Sequence, residues 1–248
     1  MVGQNEEVTL VITSCGRFDL LKATVDSLFA HTDRSFAKTI VTEDSGHEGV
    51  HDALTAVEGP LEVIINRPQL GQIKSIDLAY GKVETPYIFH CEDDWIFHRT
   101  GFMEESLTLL KAFPELSMIS LRARLELNPL VHPAPEEVYE SISFFRLDPG
   151  LHPEYFGHGF NPGLRRLADY RKVGPYTPIG QEMDISYAFK KAGFHMANLE
   201  IPVVSHMGDD RHVDDPFAPK RPTNALEKLG RSISKRTKRV KRWAQGRG

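Results

Sequence analysis

The sequence predicts an α/β protein, a mainly parallel sheet flanked by helices, followed by a basic C-terminal helical tail. Three observations carry this expectation. Short β-branched apolar runs alternate with stretches of helical periodicity, the runs end in polar and largely acidic turns, and basic residues gather at the C-terminal end. With 248 residues, 40% hydrophobic and 26% charged, the composition is ordinary for a globular chain, and a single core is the simpler expectation.

The elements follow in order. VTLVIT at 8–13 reads as a strand, and SCGR leads into FDLLKATVDSLFAH, where Leu20, Leu21, Val25, Leu28 and Phe29 recur at helical spacing. Strands are expected at 38–42, ending in Glu43-Asp44-Ser45-Gly46, and at 61–65 after a Gly-Pro turn. A helix over 72–81 precedes the strand at 87–91, which breaks at Glu92-Asp93-Asp94. Such alternation gives a parallel sheet with right-handed crossovers, and ligands of such sheets bind at the carboxyl ends of the strands. Beyond this point a helix is expected at 103–113 and a strand at 116–121, then long loops over 128–163 with a hairpin at 139–145. A helix at 181–192 stops at Gly193, and a last strand at 195–204 runs into Ser205-His206-Met207-Gly208.

Cys15 and Cys91 match no zinc spacing and no disulfide framework, which fits a reducing, cytoplasmic compartment. The stretch MVGQNEEVTLVITS has no basic segment leading into a long apolar run, and no run of about 18 apolar residues occurs anywhere in the sequence. The net charge of -4 conceals an asymmetry: residues 220–248 hold eleven Lys or Arg against the single acid Glu227. The division expected is a catalytic body at 1–219 and a basic tail at 220–248 that meets an anionic surface.

The strongest local signal is YIFHCEDDW at 87–95, a strand that delivers three consecutive carboxylates into a turn. Like charges so placed raise one another's pKa unless a cation joins them, and hard oxygen ligands favour Mg²⁺ or Mn²⁺. Alone, the motif is equally an exposed acidic turn. Glu43-Asp44 ends another strand, so both turns open on the same edge of a parallel sheet, where a carboxylate can accept hydrogen bonds from a ribose or a base. Alone, it is a plain Asx turn.

The segments VTLVITSCGRFDLLKATVDSL, IVTEDSG, GQIKSIDLAYGKVETPYIFHCEDDW, IGQEMDISYAFKKAGF and VVSHMG, in that order over about residues 8–208, resemble the motifs of GT-A glycosyltransferases, particularly the family 2-like group. The resemblance implies a Rossmann-like GT-A fold and hexosyl transfer from a nucleotide-sugar donor (UDP-, GDP- or dTDP-sugar) to a saccharide or lipid-linked hydroxyl acceptor. Carried onto this chain, it puts Asp44 at the nucleoside, with Glu43 beside it. The metal and diphosphate turn becomes Glu92-Asp93-Asp94, which departs from the family pattern in its first acid and leaves Asp94 as the principal ligand. Glu182 matches the base position at the start of a helix, and Asp184 projects from another side of that helix. His206 matches a histidine that several such enzymes add to the metal shell. Arg211 suits bidentate contact with the diphosphate. Gln72 and Lys74 are donor-contact candidates or solvated face residues. The glycine-rich 157–163 segment lacks phosphate-loop spacing and is assigned to the wall of the acceptor site.

Inversion at the anomeric carbon is implied by the resemblance alone. Two competing readings are a nucleotidyltransferase, against which Ser14-Cys15-Gly16-Arg17 makes a poor phosphate loop, and nucleic-acid binding through the tail, which has no DNA-binding motif; nucleic acid is therefore not an expected partner. In the tail, Leu226, Leu229, Ile233, Val240 and Trp243 form an apolar seam among cations. A coiled coil and a disordered tail are alternatives. The preferred reading is an amphipathic helix on the inner face of the membrane, serving surface polysaccharide or glycolipid synthesis.

Overall fold

The computed structural model of the chain describes residues 3–208, 211, 213, 232, 234, 236, 237 and 240–242, with the backbone alone described at 3–6 and 34. A nine-stranded sheet forms its centre. The strands are β1 (Gly3–Ser14), β2 (Arg34–Glu43), β3 (Leu61–Ile65), β4 (Tyr87–Glu92), β6 (Leu116–Ser120), β7 (Glu137–Tyr139), β8 (Ile142–Leu147), β9 (Gly163–Arg166) and β10 (His195–Leu199), in the order β3-β2-β1-β4-β9-β6-β10-β8-β7. The β3-β2-β1-β4 half and the β6/β10 pair are parallel. A separate antiparallel pair joins β5 (Trp95–Phe97) to β11 (Val204–His206).

Apolar side chains on the central strands point to both faces, as a doubly covered sheet requires. Leu10 and Ile12 of β1, with Phe89 of β4, enter the core beneath α1 (Phe18–Ala30), the short α2 (Val50–Ala53) and α4 (Phe102–Ala112). Val11 and Ile88 face the opposite core, which includes Ile76 and Tyr80 of α3 (Gln72–Tyr80) and Ile185 and Phe189 of α6 (Glu182–Lys191). Truncating a side chain buried as completely as Leu10 to alanine costs roughly 2–5 kcal/mol.

The sequence expectations hold for the first four strands, for α1, α3, α4 and α6, and for the hairpin, where Glu140 and Ser141 adopt positive φ between β7 and β8. The expected strand at 195–204 divides instead into β10 and β11, which join different sheets. The 128–163 stretch contains 3-10 turns and leads into β9, an antiparallel strand inserted between β4 and β6 and followed by α5 (Leu167–Val173). Gly163 permits this insertion, because a Cβ there would lie 2.3 Å from the Ile119 carbonyl oxygen. Among the described residues no helix is long and apolar enough to cross a membrane. Leu226, Leu229, Ile233 and Trp243 lie outside the described residues, and Val240 is exposed.

Candidate active site

The parallel strands β1, β2 and β4 end together, and their acidic turns meet at that edge. Pairing of Ser14 with Glu43 and of Thr13 with Glu92 brings the first strand's exit loop between the two turns. In this loop Arg17 donates to Asp93 Oδ1 and reaches Asp94 Oδ2 at 2.8 Å. Arg17 is thus the counterion that lets adjacent buried carboxylates coexist, a role not recognised from sequence. Burial pushes the Asp93 carboxyl up and the Arg17 charge opposes it. Asp93, expected at the donor, is 2% exposed and serves as the anchor for Arg17, with Cys15 N also donating to it at 3.4 Å.

Asp94 faces across the cleft. The β5/β11 pairing sets His206 opposite Trp95, so the two rings lie 4.9 Å apart and His206 Nε2 lies 3.2 Å from Asp94 Oδ2. Asp94 Oδ1 is buried and has no hydrogen-bond partner among the described residues. Gly208 closes the cradle, since a Cβ there would come within 2.6 Å of Asp94 Oδ2. An orphaned carboxylate oxygen beside an imidazole nitrogen suits a divalent cation. Glu92 stands apart from this pair, accepting from Gln72 Nε2 at 2.8 Å and from Trp95 Nε1 at 3.4 Å. Burial, together with the nearby Asp94 and Glu182 charges, pushes its carboxyl up to about 8, although part of the residue's surface is open to solvent. Among the described residues no three His, Cys, Asp or Glu side chains converge as a ready-made metal cluster.

At the β2 edge the two acids are buried braces. Glu43, expected beside a nucleoside, has no exposed surface and accepts from Gly16 N at 3.0 Å and Ser45 N at 2.7 Å, so it fixes two turns. Asp44 Oδ1 accepts from Asn66, Leu70 N and Ser75, whereas Oδ2 accepts from Gly71 N at 2.8 Å. Asp44 therefore shapes the loop before α3 and keeps acceptor capacity on Oδ2. Lys74, exposed on α3, lines a crevice with Leu70, Gly71, Thr177 and Gln181. Gln72, also exposed, is held by Glu92. Arg211, expected on the diphosphate, instead pairs with Asp19 in the first turn of α1, Nη2 to Oδ1 at 2.9 Å, and its carbonyl accepts from Arg17 at 3.2 Å. Asp209, Asp210 and His212 lie outside the described residues.

Glu182 opens α6. Its residue surface is accessible, yet the carboxyl rests against protein, accepting from Phe160 N at 3.3 Å; desolvation raises its pKa above 4.5, opposed by Phe160 N, Arg165 and Arg122. Asp184 has a different task. It completes a capping box with Gln181, accepting from the Gln181 amide at 3.3 Å, and so stabilises the helix start that carries Glu182. Behind Glu182 the wholly enclosed Arg165 donates to Gly159 O and to Tyr80 OH, and Tyr80 in turn contacts His90. Burial and the Arg165 charge hold His90 and His158 well below 6.5, hence neutral. Gly157 packs onto α6, where a Cβ would lie 2.1 Å from Ser186 O, so at least this part of the glycine-rich segment answers to close packing. Burial and the surrounding acids push the Cys15 thiol up to about 11, which removes it as a nucleophile at neutral pH.

Paired acidic turns at the carboxyl edge of a mainly parallel sheet, with antiparallel β9 inserted and a helix start facing the edge, define the GT-A glycosyltransferase fold. Solved structures agree. A mannosyltransferase from Pyrobaculum calidifontis, in complex with GDP-Man and Mn²⁺, matches at a TM-score of 0.57 and 11% identity over 79% of this chain and 55% of its own. GalNAc-T7 with UDP, GalNAc and Mn²⁺ matches at a TM-score of 0.62 and 12% identity over 87% of this chain and 46% of its own. The chain thus spans about half the length of these structures, and identity this low establishes the fold alone. No protein-family model and no curated protein sequence matches the chain.

Proposed function

We propose that this chain is a metal-dependent glycosyltransferase that moves a sugar from a nucleoside-diphosphate donor to a hydroxyl acceptor. The observation that carries the reading is the facing of Asp94 and His206, 3.2 Å apart, at the edge of a GT-A sheet where Glu182 is near enough for its charge to act on Glu92. Mn²⁺ in both matched structures supports the same cation here, with Mg²⁺ the chemically similar alternative. Asp94 and His206 would hold it, and Glu92 at the strand end would join them by leaving Gln72 and Trp95. Bound there, a divalent cation supplies neutralisation of the charge that develops on the leaving diphosphate.

The chain's own groups do the rest. Asp44 Oδ2 and the Gly71 turn receive the nucleoside, and Lys74 lies on the adjoining crevice wall. Arg17 holds Asp93 and Asp94 in place, with Asp93 as its anchor. Glu182 takes the acceptor hydroxyl's proton, and the oxygen attacks the sugar C1 from the face opposite the diphosphate, inverting the centre. Desolvation raises the Glu182 pKa above 4.5, which makes it a stronger base than a free glutamate. Asp184 keeps the helix start in register for that step. The basic segment at 220–248 lies on an anionic leaflet, and the acceptor is a saccharide or lipid-linked glycan of surface polysaccharide or glycolipid synthesis.

Thermal denaturation with Mn²⁺ and UDP-, GDP- or dTDP-sugars tests the reading, because a true donor stabilises the native state by mass action. One donor class should raise Tm only when metal is present. No stabilisation by any of them, or undiminished transfer in EDTA, removes it. Co-sedimentation with phosphatidylglycerol vesicles that weakens with salt supports the lipid reading of the tail, and equal sedimentation of a chain ending at Pro219 defeats it.

A further inference from the structure

The loop leading to the acceptor side is fastened along α6 at several points. Lys190 donates to the Pro149 and His152 carbonyls, Tyr155 OH meets Met183 Sδ at 3.1 Å, and Gly157 N donates to Ser186 Oγ at 3.0 Å. Between these contacts, Glu154 and Asp184 approach one another with side chains only 7% and 18% exposed. Two shielded carboxylates so placed repel unless a cation joins them.

That cation comes from the C-terminal segment. Arg242 Nη1 lies 2.7 Å from Glu154 Oε1, Nη2 donates to Asp184 Oδ1, and the guanidinium sits 4.4 Å over the Tyr187 ring. Its side chain is 10% exposed, whereas its neighbours Val240 and Lys241 are exposed. A planar guanidinium satisfies two carboxylates and an aromatic face at once, which an ammonium cannot.

We infer that Arg242 is a latch: it fastens the basic C-terminal segment into a socket of Glu154, Asp184 and Tyr187, clamps the first turn of α6 to the 152–156 loop, and is withdrawn when an anionic lipid surface draws off the segment. The release step rests on the lipid reading of the tail, whereas the socket does not. Asp184 also caps the helix that begins with Glu182, so seating of Arg242 couples the tail to the position of the proposed base. Arg242 is in this sense a positioning residue. Withdrawal leaves two facing carboxylates and a looser helix start.

Hydrogen exchange of the full chain, with and without phosphatidylglycerol vesicles, tests this. Without vesicles, Arg242→Ala and Glu154→Gln should each speed exchange across 150–160 and 181–187 by about tenfold, with Arg242→Lys intermediate. Vesicles should do the same to the wild-type chain and add nothing to Arg242→Ala. Wild-type exchange rates in Arg242→Ala would overturn the latch. Vesicles that bind the chain yet leave those segments protected would overturn the release, as would failure to bind vesicles at all, which also defeats the lipid reading of the tail but leaves the socket result standing. In a transfer assay, Arg242→Ala should lower kcat more than it raises the donor KM, because Arg242 acts through Asp184 on the helix start that carries Glu182.

Discussion

His206 Nε2 lies 3.2 Å from Asp94 Oδ2, a meeting arranged by the antiparallel pairing of β11 with β5. Neither strand belongs to the large sheet. The short ribbon brings a late segment of the chain over the acidic turn, and it leaves Asp94 Oδ1 buried without a partner among the described residues.

Replacing Asp94 by Asn removes the charge from that oxygen while keeping its shape. Mn²⁺ affinity should fall by at least about 100-fold, beyond the range typical of lost outer-shell contacts, with transfer abolished and the thermal transition retained. Mn²⁺ quenching of Trp95, whose ring lies 4.9 Å from that of His206, gives the measurement. Unchanged quenching would place the cation elsewhere.

Glu182→Gln keeps an acceptor for Phe160 N but cannot take a proton, so kcat should drop by about 10²–10⁴ with donor binding near normal. Because the native pKa is raised above 4.5, the native state binds the proton more tightly than the unfolded chain does. Stability contributed by this group is therefore present at low pH and lost as pH rises through the raised value. Two pH profiles check this: the acidic limb of wild-type kcat should lie above pH 4.5, and Glu182→Gln should gain stability over wild type toward neutral pH. Should Asp184→Asn alone show the loss of kcat with normal α6 exchange, the base is Asp184.

Gly208→Ala inserts a methyl group 2.6 Å from Asp94 Oδ2 and 2.9 Å from Arg17 Nη1. Arg17 can yield, but Asp94, fixed through its backbone carbonyl to Met207 N at 2.8 Å, cannot move far. Metal affinity should weaken by about 10–100-fold in a folded protein. Calorimetric titration with Mn²⁺ showing wild-type affinity would separate Gly208 from the site.

Glu43→Gln probes the brace between the β1 and β2 exits. Loss of the charge that accepts from Gly16 N and Ser45 N should cost about 1–3 kcal/mol in urea denaturation, because both amides are directed at a fully buried carboxylate. A stability loss with metal affinity retained assigns Glu43 to the fold, and direct nucleoside contact would instead show as a selective loss of donor binding.

Much of the architecture was legible locally. Alternating apolar runs gave β1 to β4 and the helices that cover them, and the Gly193 stop marked the end of α6 because a positive φ of 89° is easily adopted there only by glycine. The acidic turns were equally legible, since three carboxylates after an apolar strand stand out in any context. β9 was not. Its four residues, GLRR, contain two arginines, and they form a strand because Gly163 admits them between β4 and β6 and because Arg165 finds carbonyls and a tyrosine hydroxyl in the interior.

The sequence by itself determined the α/β class, the sheet edge at which the acidic turns gather and the residue types available there, because strand and helix periods and turn residues are properties of neighbours along the chain. The tertiary structure decided what each acid does. Glu43 and Asp93 became buried braces, Asp44 a loop organiser bonded through both oxygens, Asp184 a helix cap, and Asp94 the partner of His206. It also set Arg17 between the carboxylates and turned Arg211 toward Asp19. A carboxylate's role follows from the donors and cations that surround it, and those arrive from segments remote in sequence, through strand pairings and close glycine contacts that no local pattern encodes.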